Sequence, residues 1–163
     1  MSINNTEVTI IELKIINITL LLDSFSYHCA NKKKTEENMR KESGYSLWGG
    51  SAGARMAATL GNRGNLRHLT WRTDLPQASA VIMQYTGYTT VSQYDGPTYA
   101  CCGTSDGIAS WRTMQSRLES LSALGIPTEF HSYSGLPHGF GLGTGTVAEG
   151  WLTDALCQTR FHY

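Results

Sequence analysis

The chain has 163 residues, 40% hydrophobic and 16% charged, with 13 basic and 13 acidic side chains and a formal net charge of zero. That length suits one ordinary domain, and that composition a packed core instead of a disordered chain. Zero net charge leaves no electrostatic footprint for nucleic acid or an anionic membrane, so neither is expected as a partner. Cys29, Cys101, Cys102 and Cys157 lack metal-ligand spacing. The adjacent pair suits buried strand positions better than a disulfide, and neither a metal nor a cofactor is expected.

Composition changes near residue 44. All 17 glycines and all four prolines lie from Gly44 onward, whereas all five lysines lie before it. The chain is therefore divided into an N-terminal segment of unrelated composition (1–43) and a folded α/β part (44–163). Residues 10–22 are rich in β-branched side chains and leucine, and read as a strand or two; a charged helix is expected over about 32–41. Glu12 and Lys14 interrupt that run, which is too short and too polar to span a membrane. Glu7 stands ahead of it, where a secretory signal needs positive charge, so a cytoplasmic location is expected. Asn17-Ile18-Thr19 fits a glycosylation sequon, which matters only in a secreted chain.

From Gly44 the pattern alternates strand and helix, as a parallel α/β sheet requires. A strand over 45–48 runs into Gly49-Gly50-Ser51-Ala52-Gly53, and a helix follows over 52–60, stopped by Gly61. A polar loop is expected over 62–77. Strands follow at 80–85 and 97–102, then a helix over 110–124 whose Trp111, Met114, Leu118, Leu121 and Leu124 recur every three to four residues and should face the core. Gly125 and Pro127 end it. A strand over 128–133 and a closing helix over 146–156 complete the chain.

The stretch around Ser51 has the form G-x-S-x-G. A serine on so sharp a strand-to-helix turn has an exposed hydroxyl, and the flanking Gly49, Gly50 and Gly53 leave room for the turn. The Ala52 amide would open a helix and could donate to an oxyanion. The bland alternative is a Gly/Ser-rich turn. Two further residues sit just beyond strand ends, where open α/β sheets bind ligands. Asp106 follows the third strand of this part and His138 the fourth. Asp106 could instead cap a helix or fix a turn, and His138 could be an exposed loop residue. Asp95 is a rival acid, but it precedes a strand. The order Ser, Asp, His, with separations of 55 and 32 residues, is that of α/β hydrolases and differs from the two common serine protease folds.

Tyr45-Ser46-Leu47-Trp48-Gly49-Gly50-Ser51-Ala52-Gly53-Ala54-Arg55 resembles the elbow of bacterial α/β-hydrolase esterases of the acetyl-esterase and xylan-esterase-like kind, relatives of lipases and prolyl-oligopeptidase-type enzymes. Pro137-His138-Gly139-Phe140-Gly141-Leu142-Gly143-Thr144-Gly145-Thr146, with Ala148-Glu149-Gly150-Trp151, is similar to their histidine loop and final helix. Thr104-Ser105-Asp106-Gly107 resembles their acid loop. The resemblance covers about 44–156.

It implies an α/β fold comprising the C-terminal half of a hydrolase sheet, strands 5–8 with flanking helices, parallel and truncated on its N-terminal side. It implies Ser51 as nucleophile, His138 as base and Asp106 as its orienting acid, acting on a small ester or an acetylated carbohydrate. The glycine-rich oxyanion loop of such enzymes has no counterpart in 1–43, so activity is expected to be weak or absent. A non-catalytic fragment, a module pairing with a complementing chain or a second copy through an exposed strand edge, and a peptidase are the alternatives. The strand over 45–48 would be that edge, an apolar surface prone to association, unless 10–22 supplies a substitute strand.

Overall fold

The computed structural model describes residues 9–13, 18–22, 45–71 and 76–158. The charged helix expected over 32–41, His28 and His162 lie outside them. A six-stranded sheet has the order β1 (Thr9–Leu13), β2 (Ile18–Leu22), β3 (Tyr45–Gly50), β4 (Ala80–Gln84), β5 (Thr98–Gly103), β6 (Thr128–Tyr133). β3 to β6 pair in parallel; β1 and β2 form an antiparallel pair, and β2 runs antiparallel to β3. The strand expected to be an exposed edge, β3, therefore lies between two neighbours. Its partner comes from within 10–22, the segment read as a substitute strand.

The central parallel strands β4 and β5 are buried on both faces, which explains their largely apolar sequences, whereas β6 at the edge is only partly buried and mixed in sequence. Side chains alternate between two cores. Leu47, Val81, Met83, Ala100 and Cys102 pack against α1 (Ala52–Gly61) and α3 (Trp111–Ala123) through Ala54, Ala57, Met114 and Leu118. Ile82, Tyr99 and Cys101 face the other way, against Trp151 and Ala155 of α4 (Trp151–Gln158). Cys101 and Cys102 are buried free thiols. Met114, Leu118 and Leu121 are buried as the helical stripe requires, but Leu124 is 51% exposed just past the end of α3.

Two expectations need correction. The span 62–77 is not all loop: α2 (Arg63–Thr70) occupies it. The Asn62 side chain accepts from the Asn65 amide at 3.1 Å, and Trp71, in the left-handed conformation at φ 57, closes the other end. This helix rests on its caps instead of a long apolar stripe, so periodicity misses it. The closing helix begins at Trp151, not at Thr146. Gly145 and Gly150 have φ of 72 and 88, which breaks helical continuation, and the Thr146 hydroxyl donates to the Gly143 carbonyl at 2.6 Å in a side-chain-stabilised turn.

Candidate active site

The register of the parallel strands brings their carboxyl ends side by side, with Gly50 opposite Gln84, Gln84 opposite Cys101 and Gly103 opposite Tyr133. Ser51 leaves β3 with φ 55 and ψ −117, a conformation that a side chain occupies only when its surroundings hold it there. Its amide donates to the Gln84 carbonyl at 3.0 Å. A Cβ on Gly49 would stand 2.2 Å from the Gly53 carbonyl carbon, so the close return of α1 over β3 demands glycine at position 49. Ser51 stands at the N-cap position of α1, yet its hydroxyl does not cap the helix. It lies instead 3.0 Å from His138 Nε2. Ala52 opens α1, so its amide is one of the first-turn donors that helix geometry leaves without an intrahelical acceptor.

His138 Nδ1 is 2.8 Å from Asp106 Oδ2. With a carboxylate facing Nδ1, the proton of the neutral ring belongs on Nδ1, and Nε2 is left to accept from the Ser51 hydroxyl. The other Asp106 oxygen, Oδ1, accepts from the Ile108 and Ala109 amides at 2.8 Å each. Asp106 thus fixes a turn and engages His138 at once. Burial alone would raise its pKa; the Ala109 and Ile108 amides and His138 outweigh this and hold it below the usual carboxylate value. Its side chain has no exposed surface, whereas that of His138 is 20% exposed. Beneath it, the Cys102 thiol lies 3.6 Å from Oδ2. Burial and the neighbouring Asp106 charge push that thiol up to about 12, so it remains protonated and can donate.

The acid and histidine loops are fastened to each other. Gly135 donates to the Thr104 hydroxyl at 2.9 Å and Ser105 to the Leu136 carbonyl at 3.1 Å. A Cβ on Gly103 would meet that Leu136 oxygen at 2.0 Å. The histidine loop is also tied to the sheet: the Gly141 carbonyl accepts from Gln84 Nε2 at 2.8 Å and from Trp151 Nε1 at 3.0 Å.

The rival acid Asp95 is elsewhere. It forms a buried pair with Arg117 at 3.3 Å and accepts from the Ser92 amide at 2.7 Å. His131 stacks on Tyr99 and pairs with Glu129, and His68 is exposed. Sequence reading overlooked Gln84 and Tyr85. A fully buried glutamine at the end of an apolar strand was a legible signal; the φ of 34 at Tyr85 was not. Among the described residues no cluster of side chains suits a metal ion, and no helix is long and apolar enough to cross a membrane.

No known family profile matches the sequence, and no curated protein does. Solved structures do resemble it. A carboxylesterase from Lactobacillus plantarum matches with a TM-score of 0.59 at 18% identity, over 71% of this chain and 57% of its own. An α/β-hydrolase enzyme from a Medee basin deep-sea metagenome library matches with a TM-score of 0.55 at 20% identity, over 70% of this chain and 52% of its own. An acetyl ester–xyloside bifunctional hydrolase from Caldicellulosiruptor lactoaceticus gives 0.52 at 18% identity, over 70% and 54% respectively. The chain spans about half the length of the structures it matches. With its four parallel strands and flanking helices, it has a partial α/β-hydrolase fold.

Proposed function

We propose that the chain is a serine hydrolase of carboxylic esters working through an acyl-enzyme. The observation that carries this is the hydrogen-bonded series from Ser51 Oγ through His138 to Asp106, set on a strained elbow at the carboxyl ends of the strands. Ser51 Oγ attacks the ester carbonyl carbon while His138 Nε2 takes its proton. The tetrahedral intermediate collapses, and the alkoxide leaves with that proton from His138. Water, deprotonated by His138, then releases the acid and restores Ser51. Asp106 keeps the ring in the productive tautomer and stabilises the imidazolium.

The Ala52 amide supplies one donor to the oxyanion. Among the described residues no second donor is evident, and one missing donor lowers turnover by about 10²–10³. Slow hydrolysis is therefore expected. An ester substrate is supported by the structural neighbours that are themselves named esterases or ester hydrolases; a short acyl group such as acetyl is the proposed preference. The folded protein should be labelled at Ser51 by a fluorophosphonate and should turn over p-nitrophenyl acetate, and Ser51→Ala should lose both. No labelling of folded wild-type protein would sink the proposal and favour a non-catalytic role. A panel of esters against peptides separates esterase from peptidase chemistry.

A further inference from the structure

We propose that Tyr85 is a positioning residue for His138, fixing the plane of the imidazole; the proposal rests on the hydrolase reading above. The two hydrogen bonds to His138, one at each ring nitrogen, lie near the ring plane and together with the Cβ–Cγ bond set its position, but they resist a small tilt of the ring only weakly. A contact against the ring itself stiffens that tilt. Tyr85 supplies it. Its ring lies 4.9 Å from the imidazole at 63°, and 5.1 Å from Phe140 of the same loop at 71°, both edge-to-face. Aromatic rings favour this arrangement because the positive edge of one meets the negative face of the other.

Tyr85 is held in place against its own backbone preference. Its φ is 34, an outlier for an aromatic residue, and its amide still donates to the Cys101 carbonyl at 2.9 Å. The residue is only 8% exposed. The far end of its ring is seated beside the elbow: a Cβ on Gly50 would come within 2.7 Å of the Tyr85 hydroxyl and 3.0 Å of the ring. One side chain thus touches both the residue before the nucleophile and the base. Gly50 is glycine for Tyr85, as Gly49 is glycine for α1. Strain of this kind persists where neighbouring structure over-determines it, and here that structure is the elbow and the histidine loop.

Two readouts test this. The first is the low-field proton NMR resonance of the hydrogen-bonded His138 Nδ1–H, assigned by its loss in His138→Ala. The second is the rate at which a fluorophosphonate labels Ser51. Tyr85→Phe, which keeps the ring, should retain both. Tyr85→Leu should broaden or abolish the resonance and slow labelling by about 10- to 100-fold, the cost of a misplaced catalytic group. Should Tyr85→Leu fail to fold, Gly50→Ala displaces the ring instead: it should weaken the resonance, and adding Tyr85→Phe should partly restore it. A folded Tyr85→Leu protein with wild-type resonance and labelling overturns the proposal. So does a Gly50→Ala defect untouched by Tyr85→Phe, or a wild-type spectrum without the resonance. Wild-type protein that shows the resonance but is not labelled fails as a hydrolase and leaves the positioning of His138 to be decided by the spectra alone.

Discussion

Asp106 gathers four donors on one carboxylate: two backbone amides, an imidazole and a thiol. Its charge is therefore stabilised by partners that the unfolded chain lacks. A carboxylate whose pKa is lower folded than unfolded contributes stability above its unfolded pKa and loses it as pH falls through the folded value. Thermal midpoints of wild type and Asp106→Asn, measured across acidic pH, should accordingly converge as the solution drops below the ordinary carboxylate range. At neutral pH the same substitution should reduce ester turnover by about 10⁴ by favouring the wrong tautomer of His138. Turnover within a few-fold of wild type would remove Asp106 from the mechanism. At this scale the sequence was readable where the proposed chemistry needs a particular residue type. Ser51, Asp106 and His138 stand out by position after strands and by glycine neighbours. Tyr85 does not, because its part depends on a backbone angle and on a ring contact with the histidine loop.

Helices and strands were legible in proportion to how far packing shaped them. β4 and β5 are buried on both faces and read as apolar runs; β6, partly exposed, shows alternation around Phe130 instead, and α3 shows its stripe. α2 hid because its eight residues carry just two leucines, Leu66 and Leu69, too short an apolar pattern to stand out from a polar loop. The start of α4 was displaced because Thr146 looks like an N-cap but serves a turn of its own. The buried Arg117 was equally hidden, lying on the core face of α3 and out of keeping with the apolar stripe. Its guanidinium binds Asp95 and donates to the Thr90 carbonyl at 3.0 Å, joining α3 to the long connection between β4 and β5. Burial lowers its pKa and the Asp95 charge opposes this. Arg117→Met, which leaves Asp95 buried without its cation, should destabilise the protein by about 3–5 kcal/mol in urea denaturation. Replacing both partners by apolar residues should cost distinctly less. Equal losses would mean that the pair does not matter as a pair.

The whole sheet shows what the strands read within 10–22 contribute. Nothing in 1–43 resembles the rest in composition, yet β2 pairs with β3 along five residues of register. The β-branched and leucine residues of 10–22 made the strands legible, whereas their antiparallel order and register, which rest on backbone pairing, left no mark on residue type. Without β2, β3 would present an unpaired apolar edge. Deleting residues 1–24 should lower the thermal midpoint and shift the protein toward oligomers in light scattering; an equally stable, equally dispersed product would show that the hairpin is dispensable. Gln84 has a consequence of another kind. Its carbonyl holds the Ser51 amide and its side chain holds the Gly141 carbonyl. Ser51 and His138 are 87 residues apart along the chain, but one residue, Gln84, anchors both the Ser51 amide and Gly141 of the histidine loop. The elbow and the histidine loop are thus gauged against each other through a single residue, as by a spacer cut to length.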